Sequence, residues 1–177
     1  VEREEFREFF STSLNMDEAE VIPYFEVANR NNIRSIDAMV DQGKYEERVE
    51  LIFEGMDEGG KRLIANKFGL VWKHSLPDEL QLFVEVMVEN CNIDASEAIY
   101  LMNKLYLNGM RTVDDILLHE DFLSLVRENK SSSVSAGGES KLVEFLTLCR
   151  ILSEGFFSCE SFVIAGKVIK KFGSVLR

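Results

Sequence analysis

One short segment has the residue types of a phosphate-binding loop. Residues 55–61 read Gly-Met-Asp-Glu-Gly-Gly-Lys, which fits the spacing G-x4-G-K. In such a loop bare backbone amides surround a phosphate, and a Ser or Thr after the lysine holds magnesium. Arg62 stands at that position here, and Asp57 and Glu58 would bring negative charge into the cradle. We interpret the segment as a glycine turn that opens a helix, and keep a nucleotide-binding enzyme using this turn as an alternative.

The other reactive side chains form no catalytic or metal-binding pattern. His74 and His119 have no Cys or His nearby at ligand spacing. Carboxylates are plentiful, but acid–base catalysis needs one held in an apolar pocket, and a solvated face or a helix cap is their ordinary role. The sequence therefore predicts a non-enzymatic protein with no catalytic residue, no cofactor and no metal site.

The three cysteines, Cys91, Cys149 and Cys159, are widely spaced and include no CxxC pair. An odd number without close pairing fits small buried residues better than a disulfide framework or a zinc site. Cys149 lies in the apolar run 145–152, where burial opposes formation of a reactive thiolate. We predict free, buried thiols in the cytoplasm or another reducing intracellular compartment.

The charge of the chain is strongly and unevenly acidic. Over 177 residues the net charge is −11, and residues 1–60 carry 16 acidic and 6 basic side chains. Such a surface repels phosphate backbones, so nucleic acid is a poor partner. The apolar runs are too short to cross a bilayer, so no membrane span is predicted.

The chain contains an internal repeat with a fixed offset of 77 residues. Residues 15–40 and 92–117 align without a gap, and apolar positions are kept in kind between them. The identical pairs are Asn15/Asn92, Asp17/Asp94, Glu20/Glu97, Ile22/Ile99, Asn31/Asn108, Arg34/Arg111 and Asp37/Asp114. Repeats of this kind indicate duplicated structural units. We predict an all-α protein of two related units, residues 1–74 and 75–177, packed into one helical body.

Apolar residues at helical spacing predict five helices in each unit. A capping-box pattern opens the second helix of each copy at Asp17 and Asp94. Pro23 suggests that the first of these begins late or kinks. The segment 130–140, rich in serine and glycine, is expected to be a mobile loop. Extended amphipathic helices are predicted beyond it, at 141–153 and 160–176.

The order of these elements and several short motifs resemble the sterile alpha motif (SAM) family. The residues that carry the resemblance are Tyr24-Phe25, Asn31-Asn32-Ile33, Gly55-Met56 and Gly60-Lys61-Arg62-Leu63-Ile64 in the first copy, and Tyr106-Leu107-Asn108-Gly109-Met110 and 112–117 in the second. Helix-hairpin-helix modules and helical repeat arrays produce a similar pattern. The resemblance implies tandem five-helix interaction modules.

The resemblance also implies a docking mode, in which an acidic middle surface meets the basic start of the closing helix of another copy. The acidic side would comprise Asp37, Asp41, Asp114 and Asp115, and the basic side Lys61 and Arg62. We therefore predict a protein–protein interaction or scaffolding domain of a larger protein, with protein partners and weak self-association. A helical carrier of a small apolar ligand, with a cavity between the last two helices, is a further alternative. Trp72 is either a core anchor between the units or an exposed contact for a partner.

Overall fold

The fold is entirely helical over residues 2–132 and 134–154, which a computed structural model of the chain describes. These residues form ten α-helices and one 3-10 turn, and no strand. The predicted all-α class is confirmed. The chain divides into two compact units with the boundary between Ser75 and Leu76.

Five α-helices lie in the first unit. They are α1 (Glu2–Thr12), α2 (Glu18–Arg30), α3 (Ile36–Val40), α4 (Tyr45–Ile52) and α5 (Glu58–Ser75), with the 3-10 turn Asp41–Gly43 between α3 and α4.

The second unit also contributes five α-helices to the described residues. They are α6 (Asp78–Cys91), α7 (Ala95–Leu107), α8 (Val113–Leu117), α9 (Phe122–Asn129) and α10 (Ala136–Glu154). The bounds of α7, α8 and α9 are those of α2, α3 and α4 displaced by 77 residues.

Asparagines form the turns before and after α2 and α7. Asn15 and Asn92 both adopt the left-handed conformation, each with φ 52°, which Asn tolerates better than most residues. Asn31 and Asn108 cap the ends of α2 and α7, and the chain then folds back so that Ile33 N donates to Ala28 O at 2.9 Å. The matching bond in the second unit joins Met110 N to Leu105 O at 3.1 Å.

Helix α2 begins at the predicted capping box and is not delayed by proline. Asp17 accepts from the Glu20 amide and Glu20 accepts from the Asp17 amide, both at 3.0 Å. The helix starts at Glu18 and continues through Pro23 to Arg30. The expectation of a late start is therefore wrong. Proline lacks an N–H, so the missing bond is that to the carbonyl of Ala19, which lies on an exposed residue.

Large aromatic side chains form a substantial part of the core of the first unit. Phe6, Phe10, Phe53 and Phe68 are fully buried. The rings of Phe10 and Phe53 stack with centroids 5.7 Å apart, which ties α1 to the end of α4. Trp72 is 3% exposed and its ring lies 5.9 Å from that of Tyr45. The interpretation of Trp72 as an exposed partner contact is therefore wrong.

The core of the second unit is mainly aliphatic. Its largest fully buried side chains include Leu80, Phe83, Met87, Met102, Leu105, Ile116 and Phe122. Cys91 on α6 and Cys149 on α10 are buried and free, as predicted, and Cys159 lies outside the described residues.

The predicted loop 130–140 is shorter than expected, because α10 begins at Ala136. The Ser135 hydroxyl accepts from the Gly138 amide at 3.1 Å and caps the first turn. Glu139 then lies 3.4 Å from the Lys130 ammonium. The serine- and glycine-rich composition of this segment had indicated a loop and gave no sign of the helix cap. The helix predicted at 160–176 lies outside the described residues, and so does the cavity of the ligand-carrier alternative.

None of the helices in the described part of the chain combines the length and apolar character that crossing a bilayer requires.

Candidate interaction surface

The glycine turn before α5 is closed by a carboxylate of its own. Asp57 Oδ1 accepts from the Gly60 amide at 2.7 Å, and the Asp57 carbonyl accepts from the Lys61 amide at 3.0 Å. A Cβ at Gly60 would lie 2.8 Å from both Asp57 Oδ1 and Met56 Sδ, so a larger residue there would displace the cap. Glycine thus leaves room for the Met56 and Asp57 side chains at this turn, and the amide that would face a phosphate already donates to a carboxylate.

Lys61 forms ion pairs within its own unit and does not project into solvent. Its ammonium lies 2.8 Å from Glu50 Oε2 and 3.1 Å from Glu58 Oε1, and its side chain is 10% exposed. Hydrogen bonds from the Lys61 ammonium to Glu50, and next to Glu58, raise the pKa of Lys61. Glu50 and Glu58 therefore largely neutralise the positive charge of Lys61. Of the two basic residues in the predicted docking mode, Lys61 is thus a poor candidate for contact with a partner.

The other predicted members in the first unit lie on the surface. Asp37 is exposed in the first turn of α3, and Asp41 is exposed at the start of the 3-10 turn. The Arg48 guanidinium donates to the Asp41 carbonyl at 2.9 Å and to the Met39 carbonyl at 3.1 Å, which fixes the backbone between the two aspartates. Arg62, next to Lys61, is exposed.

Asp115 has a structural role in its own unit. Its carboxylate accepts from the amides of Arg111 and Thr112, each at 3.0 Å, and completes the capping box of α8. These bonds, with that from Arg111 the strongest, hold the pKa of Asp115 below its ordinary value. Asp114 is half-buried beside it and occupies the position equivalent to Asp37, 77 residues later.

The remaining reactive side chains have ordinary structural surroundings. His119 Nδ1 accepts from the Asp121 amide at 3.2 Å and shapes a turn. Burial raises the pKa of Cys91 and of Cys149 to about 12, so both thiols are protonated at neutral pH. Across residues 2–132 and 134–154, no three His, Cys, Asp or Glu side chains are grouped as metal ligands.

Two features of the surface and core escaped sequence reasoning. A shallow groove of about 270 Å³ is lined by Met16, Glu20, Pro23, Tyr24 and Met56. Its two methionines are 40 positions apart in the sequence, so no local sequence pattern predicts the groove. Glu50, eleven residues before Lys61, was likewise not foreseen as its partner.

The third unforeseen feature is Asn103, which is 0% exposed on α7. Neither its amide nitrogen nor its amide oxygen has a hydrogen-bond partner in the described part of the chain. The one available signal was that Asn103 directly follows the mainly apolar run 98–102, and Lys104 after it made that signal weak.

Comparisons with known proteins give no relative from which a role could be transferred: no family model, curated protein or solved structure matches this chain.

Proposed function

We propose that this chain is a non-enzymatic protein–protein interaction or scaffolding domain of a larger protein, made of two related SAM-like five-helix units. Its first unit is proposed to present an acidic surface, centred on Asp37 and Asp41, to a basic surface of a protein partner. Asp114 is proposed as the equivalent contact on the second unit, and Asp115 supports that contact by capping α8.

The observation that carries this proposal is the internal pairing of Lys61 with Glu50 and Glu58. Residues 1–75 contain 16 acidic and 10 basic side chains. Because Glu50 and Glu58 neutralise Lys61, its charge does not offset the negative potential around the exposed Asp37 and Asp41. Such a field attracts a cationic partner and raises the encounter rate more than it adds affinity.

The internal pairing of Lys61 also makes self-association of this chain less favourable than binding to a different protein. A contact between two copies would pair the acidic surface with Lys61 and Arg62, and only Arg62 is exposed of those two. Each exposed ion pair contributes roughly 0–1 kcal/mol. A contact that depends on so few pairs is weak, so we favour a different, more basic protein as the main partner.

The relation between the two units is supported by the bounds of three consecutive helices and by both pairs of asparagine turns. The phosphate-loop alternative is less well supported. Its central amide and its lysine are both occupied by carboxylates, which a nucleotide would have to displace against their charge.

The proposal is tested with the whole chain as bait and a matched set of variants. Proteins captured by the parent are purified and their Kd is measured at low and high salt. We expect a salt-sensitive complex that weakens several-fold in Asp37→Lys/Asp41→Lys. The control is Glu47→Lys, which introduces one charge change at an exposed site of α4.

Two results would overturn the proposal. One is that no purified partner depends on Asp37 and Asp41. The other is that Glu47→Lys weakens binding as much, per charge, as the double variant does. Sedimentation of the parent separates the two partner classes, since a salt-dependent dimer lost in Asp37→Lys would favour a second copy of this chain.

A further inference from the structure

The groove at the start of α2 combines an apolar lining with an acidic surround. Met16 precedes the helix, Pro23 and Tyr24 lie within it, and Met56 comes from the turn before α5. The ring of Tyr24 rests on that of Phe53, with centroids 4.7 Å apart. Because Phe53 is fully buried, the aromatic wall of the groove is held in place by the core.

The size of the groove limits what it can accept. Its volume of about 270 Å³ falls below the roughly 300–1,000 Å³ typical of sites that enclose a cofactor or drug-sized molecule. One bulky side chain of a partner matches it better. Methionine side chains suit this use, because they are flexible and polarisable and adapt to different apolar groups.

The surround of the groove is negatively charged. Carboxylates within two residues of the two lining methionines include Asp17, Glu18, Glu54, Asp57 and Glu58, and Glu20 lines the groove itself. Glu18 pairs with Arg7, and Glu58 with Lys61. Within the described part of the chain, Asp17, Glu20, Glu54 and Asp57 form no ion pair. An occupant therefore meets an apolar floor and a net negative rim.

We infer that this groove receives a bulky apolar side chain that is flanked by lysines or arginines on a protein partner. The inference rests on the proposed interaction role and adds a specificity site to it. Apolar burial supplies the affinity of the anchor side chain, and the flanking cations select its sequence context. An anchor flanked by acidic residues is rejected, because its charges would face the carboxylates of the rim.

The test uses short synthetic peptides and the methyl signals of the methionines. The whole chain, labelled with 13C at the methionine methyl groups, is titrated with Lys-Lys-Leu-Lys-Lys, Lys-Lys-Ala-Lys-Lys and Glu-Glu-Leu-Glu-Glu. We expect saturable shifts of the Met16 and Met56 signals with the first peptide alone. Met39, fully buried in the same unit, is the internal control.

Two charge variants sharpen the test without disturbing the fold. Glu54→Lys, at an exposed site two residues before Met56, should weaken binding of the leucine peptide about two- to five-fold, the range that one exposed ion pair supports. Glu47→Lys makes the same change of net charge on α4 and should have a smaller effect. Both residues are exposed, so both variants are expected to fold.

Equal shifts with the leucine and alanine peptides would overturn the inference, since they would show charge attraction without an anchor site. Equal shifts with the acidic peptide, or none with any peptide, would also overturn it. If these results occur while a purified partner still depends on Asp37 and Asp41, the groove inference fails and the proposed function stands.

Discussion

Helices α2 and α7 occupy equivalent places in the two halves of the repeat, yet they are buried to different depths. Both have 13 residues and both end at an asparagine cap. Helix α2 buries only Val21 and Ala28. Helix α7 buries six side chains, which are Ala98, Ile99, Leu101, Met102, Asn103 and Leu105.

One pair of equivalent positions shows the difference most clearly. Glu26 on α2 is exposed and lies 3.6 Å from Arg30 on the next turn. Asn103, 77 residues later, is completely buried. The same backbone position is thus a surface site in one unit and a core site in the other. Helix bounds follow from local sequence, whereas burial depends on what packs around the helix.

The first turns of helices α5 and α10 also differ in the burial of their side chains. Helix α5 begins with Asp57 capping Gly60, and a nearly buried lysine follows at position 61. Helix α10 begins with Ser135 capping Gly138, so Gly138 corresponds to Gly60, and the residue that follows it is Glu139, whose side chain is 35% exposed. A Cβ at Gly138 would lie 3.3 Å from Ile93, so the second unit has little room for a long side chain there.

The largest effect is expected at Asn103. Replacing Asn103 by leucine removes two buried polar atoms that lack hydrogen-bond partners in the described structure, and this should raise the free energy of unfolding by about 1–3 kcal/mol. Urea unfolding followed by circular dichroism measures it. The matched control, Glu26→Leu, should stay within about 0.5 kcal/mol. Destabilisation by leucine at 103 would show that the amide is satisfied or that the site has no room.

A smaller effect is expected at the caps of the two helices. Asp17→Ala removes the carboxylate that accepts from the Glu20 amide, but keeps the backbone amide that donates to the Glu20 side chain. It should lower the free energy of unfolding by about 0.5–2 kcal/mol. The capping box predicted at Asp94 is wrong, because Asp94 makes no side-chain cap bond at the start of α7. Asp94→Ala should therefore cost less than about 0.5 kcal/mol. Thermal unfolding of both variants measures the two losses of stability. Equal losses would show that the caps of α2 and α7 contribute equally.

The smallest effect concerns pH. The pKa of Asp115 is lowered in the folded state by hydrogen bonds from Arg111 and Thr112, whereas the unfolded value is about 3.9. Its contribution to stability is therefore present above about pH 4 and is lost as pH falls through the lower folded pKa. Asp115→Asn should flatten the acid limb of the stability curve. The first unit has Ala38 at this position and lacks the corresponding term.

Stability measured in urea between pH 2 and 5 provides the test. The control is Glu47→Gln, since that exposed carboxylate accepts no hydrogen bond in the described part of the chain. A parallel acid limb for parent and Asp115→Asn would show that the cap bonds do not depend on the charge.

Local signals in the sequence were sufficient for most of the helix bounds. The capping pattern at Asp17, the asparagines that end α2 and α7, and apolar periodicity all act within one or two helical turns. The errors were local as well. Pro23 was expected to delay or kink helix α2, but the helix is well capped at Asp17 and does not start late. The composition of 130–140 gave no sign of the cap at Ser135.

The predicted contact residues show where sequence reasoning stops. Asp37, Asp41 and Arg62 are on the surface, as a docking site requires, but Lys61 is almost buried between two glutamates. A sequence shows that a lysine follows a glycine turn. It does not show that Glu50, on the preceding helix, comes within 2.8 Å of the ammonium.

The sequence by itself determined the all-α class, the order of the helices and the register of the repeat, because caps, turns and periodicity depend on near neighbours. Only the tertiary structure decided the pairing of Lys61, the burial of Asn103 and the groove between Met16 and Met56. Those features join residues from different helices or turns. Their energies depend on exclusion of water and on distance, which arise only when the helices pack.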